Sequence, residues 1–525
     1  MVRSTFPDAH IPEVSIYDYL FGDITADDLD RVALVDGASG AETTYRQLVG
    51  QIDLFAGALA ARGISVGDAV AVLCPNVPAF ATVFHGILRA GATATTINVL
   101  YTAEEIANQL RDASAYWLVT VSPLLAQAKA AAAELGLPDD QVIVLDGAEG
   151  HPSLRDLLGE GHHAPVISFD PATHVAVLPY SSGTTGRPKG VMLTHRNLVA
   201  NVQQATEYSI PVNHDDRILA VLPFFHIYGM TVLLNLAFRT RARLYTMPKF
   251  DLLEFLRITQ EHRLTWLFIA PPIAVALAKH PIVEQYDLSS VVCVFSGAAP
   301  LDGALAHAVA ARLGCDVRQG YGMTETSPAT HTIPLDRPDI DLSSIGLLVP
   351  STEGRLVAED GSDIPIPADG VSEPGELCIR GPQVMKGYLN RPDATAEMID
   401  ADGWLHTGDV ATQTAEGVFR IVDRLKELIK YKGYQVAPAV LEAVLLEHPL
   451  IADAAVIGAP DEDGQEVPKA FVVLQSGAEL DADGVKEFVA SRVAPHEKVR
   501  LVEFIDVVPK SSSGKILRKD LRARG

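Results

Sequence analysis

Cysteine is scarce: Cys74, Cys293, Cys315 and Cys378 are four in 525 residues, and no two form a CxxC pair. That excludes a disulfide scaffold and a cysteine-rich metal centre. Cys74 and Cys293 lie in apolar runs and are expected in the core. Positive charge is also short, with 42 Lys and Arg against 66 Asp and Glu and a net charge of −24. Such a field repels nucleic-acid phosphate and anionic membrane surfaces, so neither is expected as a partner. A long hydrophobic run is missing too. The most apolar stretch, Leu219–Phe238, is broken by Pro223, His226, Gly229 and Asn235, so no membrane span is expected. The N-terminal residues carry no apolar signal-peptide core, and the closing ARARG is not a peroxisomal address. The expected compartment is the cytoplasm.

What is present is alternation. AVAVL (69–73) precedes a helical period over 77–90, ATATTIN (92–98) one over 102–113, and YWLVTV (116–121) one over 124–135. Thr102 and Glu105 have capping-box spacing, which satisfies two orphan amides at a helix start. Further apolar runs (QVIVLD, HVAVLPY, RILAVLP, ARLYTM, TWLFIAP, VVCVFSG) continue the rhythm. The pattern predicts an α/β fold: layered α/β subdomains with largely parallel sheets. After about residue 340 short strands and Gly/Pro turns predict a β-rich subdomain. Beyond Asp423 the remaining residues suffice for a small α+β domain. The expected division is therefore 1–422 and 423–525. The tail gathers Lys510, Lys515, Arg518, Lys519, Arg522 and Arg524 against Asp520, a local reversal of sign that suits a phosphate-bearing ligand or a salt-bridged surface.

The stretch YSSGTTGRPKGVMLTH (180–195) opens from a strand into small hydroxyl and glycine residues and then a lysine. Glycine lets backbone N–H groups converge, hydroxyls add donors, and Lys189 adds a cation, so the loop can cradle phosphate. It is not a Walker A motif, because Pro188 stands where that template needs glycine.

This stretch closely resembles the phosphate loop of the adenylate-forming superfamily of acyl-CoA synthetases, luciferases and adenylation domains. FFHIYG (224–229), GYGMTE (320–325), WLHTGD (404–409), VDRLKELIKYKGYQV (422–436) and PKSSSGKILRK (509–519) match successive motifs of that superfamily in order. LPFFHIYG, GELCIRG and KELIKYKGYQVAP are most similar to 4-coumarate–CoA ligases. The resemblance implies a large AMP-binding domain, a small mobile C-terminal domain, ATP and coenzyme A as co-substrates, and Mg2+.

It also implies roles. Ser181, Ser182, Gly183, Thr184, Thr185 and Lys189 would hold ATP phosphates. Gln319, Gly320 and Tyr321 would border the adenine, and Thr324 the α-phosphate. Glu325 would hold Mg2+, a hard cation that prefers carboxylate oxygens. Asp409, assisted by Arg424, would accept both ribose hydroxyls, since one carboxylate can accept two hydrogen bonds. Lys515 would bridge carboxylate and phosphate during adenylation, with Lys430 and Gln435 near the reacting centre. Lys249, Lys432 and Gly433 would meet coenzyme A, and His226 would gate the thiol tunnel. Tyr228, Gly297, Ala298, Gly322, Pro328 and Ala329 would line the acid pocket, the glycines leaving flat space for a ring, and Asp423 would be the hinge. Standing alone, Lys426, Lys430 and Lys432 with Glu427 also read as an exposed helix face.

The expected function is ATP-dependent acid–CoA ligation through an acyl-adenylate, on 4-coumarate or cinnamate-type acids. A fatty acid or a benzoate as substrate stays open, as does loading of a carrier protein. Against the last, no Asp stands in the FFHIYG region to hold an amino-acid ammonium group.

Overall fold

The computed structural model describes residues 1–181, 188–431, 434–461, 466–511 and 514–524, without the side chains of Lys430, Tyr434 and Gln435. Two large sheets carry the N-terminal part. One has eight strands; its centre is Val175–Val177, Thr93–Thr96, Ala69–Leu73, Ala115–Thr120 and Val142–Val144, all parallel. The other has nine, and six of them run parallel at its core, from Asp316–Gly322 across to Val32–Asp36. Both faces of these sheets are covered, which is why their strands read as near-continuous apolar runs.

The helices fall where the periodicity puts them. Pro78–Arg89 follows the first strand and Ala103–Asp112 the second. The Thr102 hydroxyl accepts from the Glu105 amide, and the Glu105 carboxylate accepts from the Thr102 amide. One large core cluster joins the two sheets through Phe80, Phe84, Phe224 and Phe238. Burying each such ring contributes roughly 2–3 kcal/mol of transfer free energy. Cys74 and Cys293 are buried. Within Leu219–Phe238 a strand ends at Ala220, and Tyr228–Asn235 forms π-helical turns that continue as the helix Leu236–Thr240. Among the described residues no helix is long and apolar enough to cross a membrane.

The β-rich stretch is a five-stranded antiparallel sheet that takes in Val2–Arg3, Glu353–Val357, Gly375–Arg380, Leu405–Gln413 and Phe419–Arg424. The chain then forms a two-stranded ladder (Ile429–Tyr431 with Tyr434–Val436) and a three-stranded sheet flanked by Pro438–Leu446 and Ala482–Ala490. Lys426 and Lys430 therefore do not share a helix face: Lys426 lies in a turn and Lys430 in a strand. Within this part Glu442 is buried, and the Arg518 guanidinium donates to both of its oxygens at 2.7 and 2.8 Å. Much of the basic tail is likewise ion-paired, Lys510 to Asp453 and Arg522 to Glu427.

Candidate active site

A cavity of about 860 Å³ lies where the parallel sheets, the antiparallel sheet and the C-terminal part meet. Its wall includes Tyr228, Gly320, Thr324, Arg424 and Lys515, which sit as much as 287 positions apart in sequence. Strand ends and the turns after them supply most of these side chains, as expected where parallel strands open at their carboxyl ends.

One corner is built on Asp409. It is cross-strand partner to Arg424, whose Nε lies 3.1 Å from Oδ1, and the Tyr321 hydroxyl donates to Oδ2. Asp409 is buried and paired with these donors, as a buried carboxylate must be. Burial and the Asp409 carboxylate hold the Tyr321 phenol well above its ordinary range, so it stays a donor. Gly408 turns at φ +69°, and its amide donates to Glu376 Oε1 at 3.1 Å.

The next wall holds Lys189, Tyr388 and Glu325. The Lys189 ammonium lies 4.7 Å from the centre of the Tyr388 ring, and the Tyr388 hydroxyl donates to Glu325 Oε1 at 2.8 Å. Glu325 is buried yet lines the cavity. Thr324 opens the short 3₁₀ turn Thr324–Thr326 beside it.

Lys515 arrives from the C-terminal part. Its turn is tight: the Ser511 amide donates to the Lys515 carbonyl at 2.8 Å, and Gly514 takes φ +85°. A Cβ on Gly514 would stand 3.3 Å from Ala270 and Pro272, so glycine serves both the turn and the close docking. Burial, then the Arg424 cation, pull the Lys515 ammonium down to about 8, while Asp409, Glu325 and Glu427 oppose the shift. His226 stands on the same wall, lowered to about 4 by burial and by Lys515. The Tyr228 amide donates to its Nδ1 at 3.3 Å, so the neutral ring carries its proton on Nε2.

The residues expected in the acid pocket, Tyr228, Gly297, Ala298, Gly322, Pro328 and Ala329, all line the cavity, joined by Val232, Ile210 and Ser209. The two glycines act differently from the sequence expectation. A Cβ on Gly297 would lie 2.6 Å from the Tyr228 ring, and one on Gly322 would lie 2.0 Å from the Pro328 carbonyl oxygen. The space they leave is filled by protein, and what they position is Tyr228 and the Pro328 backbone.

Four predicted residues are not on the wall: Asp409, whose partners Tyr321 and Arg424 are on it, and Gln319, Lys249 and Asp423. Gln319 is buried, and its amide is spent on Leu301 and on the Leu342 carbonyl, so it supports the loop below the site. Lys249 is exposed beyond the strand Arg243–Thr246. Asp423 lies in the last strand of the antiparallel sheet, and its carboxylate accepts from the amides of Arg424 (2.6 Å) and Ala439 (2.9 Å). Burial raises its pKa above the ordinary carboxylate range. Ser181 lines the cavity, whereas Ser182, Gly183, Thr184, Thr185, Lys432 and Gly433 lie outside the described residues, as do the side chains of Lys430 and Gln435. Sequence reasoning passed over Tyr388, Glu376, His406 and Val232. Val232 follows Tyr228 by four positions in a helical segment, a spacing that was available; Tyr388 has no such local signal.

The family model of the AMP-binding enzyme matches residues 23–389, and that of the AMP-binding enzyme C-terminal domain matches 440–515. The chain is 42% identical over 533 residues to 4-coumarate–CoA ligase 2 of Solanum tuberosum, covering 99% of this chain and 96% of that protein. Among solved structures it superposes on ATP-bound MatB from Rhodopseudomonas palustris with a TM-score of 0.88 and 29% identity, covering 98% and 99% of the two chains. It also superposes on an anthranilate CoA ligase in complex with anthranoyl-AMP, with a TM-score of 0.89, 25% identity and coverage of 98% and 97%.

Proposed function

The chain belongs to the AMP-binding enzyme family, and on that premise we propose that it is an ATP-dependent acid–CoA ligase acting on 4-coumarate and related cinnamate-type acids. The acid carboxylate attacks the α-phosphorus of ATP, forming acyl-AMP and releasing pyrophosphate. The coenzyme A thiol then attacks the acyl carbon, and AMP leaves with the bonding pair. The observation that carries this reading is the single cavity in which Lys515 faces the Tyr321–Asp409–Arg424 corner while Tyr228 and Ala329 line the other wall. Two anions must meet there, and a compact ammonium that touches both lowers their repulsion most where charge builds up, in the transition state.

Asp409 takes the ribose hydroxyls, Tyr321 and Gly320 border the adenine, and Thr324, Ser181 and Lys189 face the phosphates. The Glu325 carboxylate fits Mg2+, because Tyr388 engages only Oε1 and the group opens on the cavity where phosphate oxygens would complete a hard-donor set. Bound there, Mg2+ would neutralise triphosphate charge. His226 gates the thiol's approach, and Lys249, with Lys430, Lys432, Gly433 and Gln435, belongs to the thiolation arrangement. For that step 423–525 rotates against 1–422 about Asp423, whose carboxylate reaches from the antiparallel sheet to the first helix of the C-terminal part. The compartment is the cytoplasm.

The test is coenzyme A-dependent AMP release over 4-coumarate, cinnamate, benzoate, octanoate and palmitate. The expected order puts 4-coumarate or cinnamate highest in kcat/KM, since a rigid ring freezes fewer rotors than an acyl chain. Palmitate above every aromatic acid would overturn the substrate class, and AMP release indifferent to coenzyme A would overturn the ligase.

A further inference from the structure

Glu376, Cys378 and His406 bring a carboxylate oxygen, a thiol sulfur and an imidazole nitrogen within 4.8 Å of one another on the antiparallel sheet. Cys378 and His406 are cross-strand partners, and a register irregularity between Glu376 and Cys378 turns both donors toward the same ring nitrogen. His406 Nδ1 lies 2.9 Å from Glu376 Oε2 and 3.4 Å from Cys378 Sγ. On the far side of the ring Asp400 Oδ2 stands 3.6 Å from Nε2. We propose that Glu376, Cys378 and His406 form a binding site for a borderline-soft divalent cation of the Zn2+ class.

The donor set selects the metal. One sulfur, one nitrogen and one oxygen suit Zn2+ and disfavour Mg2+ and Ca2+, which take oxygen. The two spacings to Nδ1 need little change, since ligand atoms about 2.0–2.3 Å from a tetrahedral Zn2+ stand roughly 3.3–3.5 Å apart. Asp400 Oδ2, 3.6 Å beyond Nε2, is placed to accept from that nitrogen once Nδ1 turns its lone pair to the metal. The Arg355 guanidinium acts on Cys378, but it also bonds Asp400 at 3.0 Å and lies over the Trp404 ring at 4.7 Å. Glu376 and His406 line the main cavity, which leaves the fourth position open to water or a ligand. The ion would sit against the turn that presents Asp409, because Glu376 Oε1 holds the Gly408 amide.

The experiment uses the full chain, stripped with a chelator and kept in excess Mg2+. Titration with Zn2+ followed calorimetrically should show one equivalent bound. Co2+ in its place should give a thiolate-to-cobalt charge-transfer band. Cys378→Ser should abolish that band, and Cys378→Ser and His406→Gln should each weaken Zn2+ at least tenfold, on the scale of a lost coordination-sphere contact. Cys315→Ser should leave both signals intact. Far-UV circular dichroism checks the fold, and if the buried Cys378→Ser does not fold, the more exposed His406→Gln decides. No thiolate band in the wild type, or Zn2+ affinity unchanged in His406→Gln, would overturn the site.

Discussion

Lys515 is expected to impose an alkaline limit on adenylation and on nothing else. Its ammonium, buried beside Arg424, titrates near about 8 in place of 10.5. The sign is fixed by the charge: below that pH the group is a cation able to touch two anions, and above it the contact is lost. Measured as pyrophosphate release, kcat/KM should therefore fall about tenfold for each pH unit above the titration point, since this parameter reports the free enzyme. ATP brings negative charge to the ammonium and raises its pKa, so the limb in kcat should move to higher pH. Lys515→Ala should lose adenylation by roughly a hundredfold or more, about 3 kcal/mol, the scale of one lost electrostatic contact to a transition state. Given synthetic acyl-AMP, that variant should still form thioester, because Lys515 is carried on the part proposed to swing away. A pyrophosphate-release profile with no descent on the alkaline side of about 8, or an equal loss in both half-reactions, would refute the argument.

Gly297→Ala should push the Tyr228 ring into the cavity, since the new Cβ would stand 2.6 Å from it. The KM for 4-coumarate should rise with that for ATP unchanged, and trimming the ring in a Gly297→Ala/Tyr228→Val pair should recover part of the loss; purely additive effects would separate the two residues. Asp409→Asn keeps the shape but gives up the charge that meets Arg424 at 3.1 Å. ATP KM should rise roughly ten- to a hundredfold, the 1.5–3 kcal/mol of a charge-assisted hydrogen bond, and an unchanged ATP KM would remove Asp409 from the nucleotide site. Asp423→Pro fixes φ near −65°, whereas Asp423→Ala removes only the carboxylate that accepts from Ala439. Both should make acyl-AMP, and thioester formation should fall much further in the proline variant; equal thioester rates would take Asp423 out of the rotation.

The parts of this molecule legible in its sequence are those fixed by local rules. Apolar runs bounded by turns became the parallel strands, and Thr102 with Glu105 capped a helix, because periodicity and capping depend on neighbours a few positions away. The identities of many cavity residues were legible through ordered motifs, but what each touches was not. Gly297 shows why. Its residue type announced missing volume, and only the packing of Tyr228 across 69 positions decides whether protein or ligand takes that volume. Gln319 shows the converse: it stands next to the motif GYGMTE and its cavity residues, yet its amide is taken up by Leu301 and Leu342 while Gly320 faces the site. The pairing of two strands, with its irregularity between Glu376 and Cys378, likewise brings both residues beside His406. The three-donor cluster follows from register alone, a quantity set by pairing across the sheet and absent from either strand taken singly.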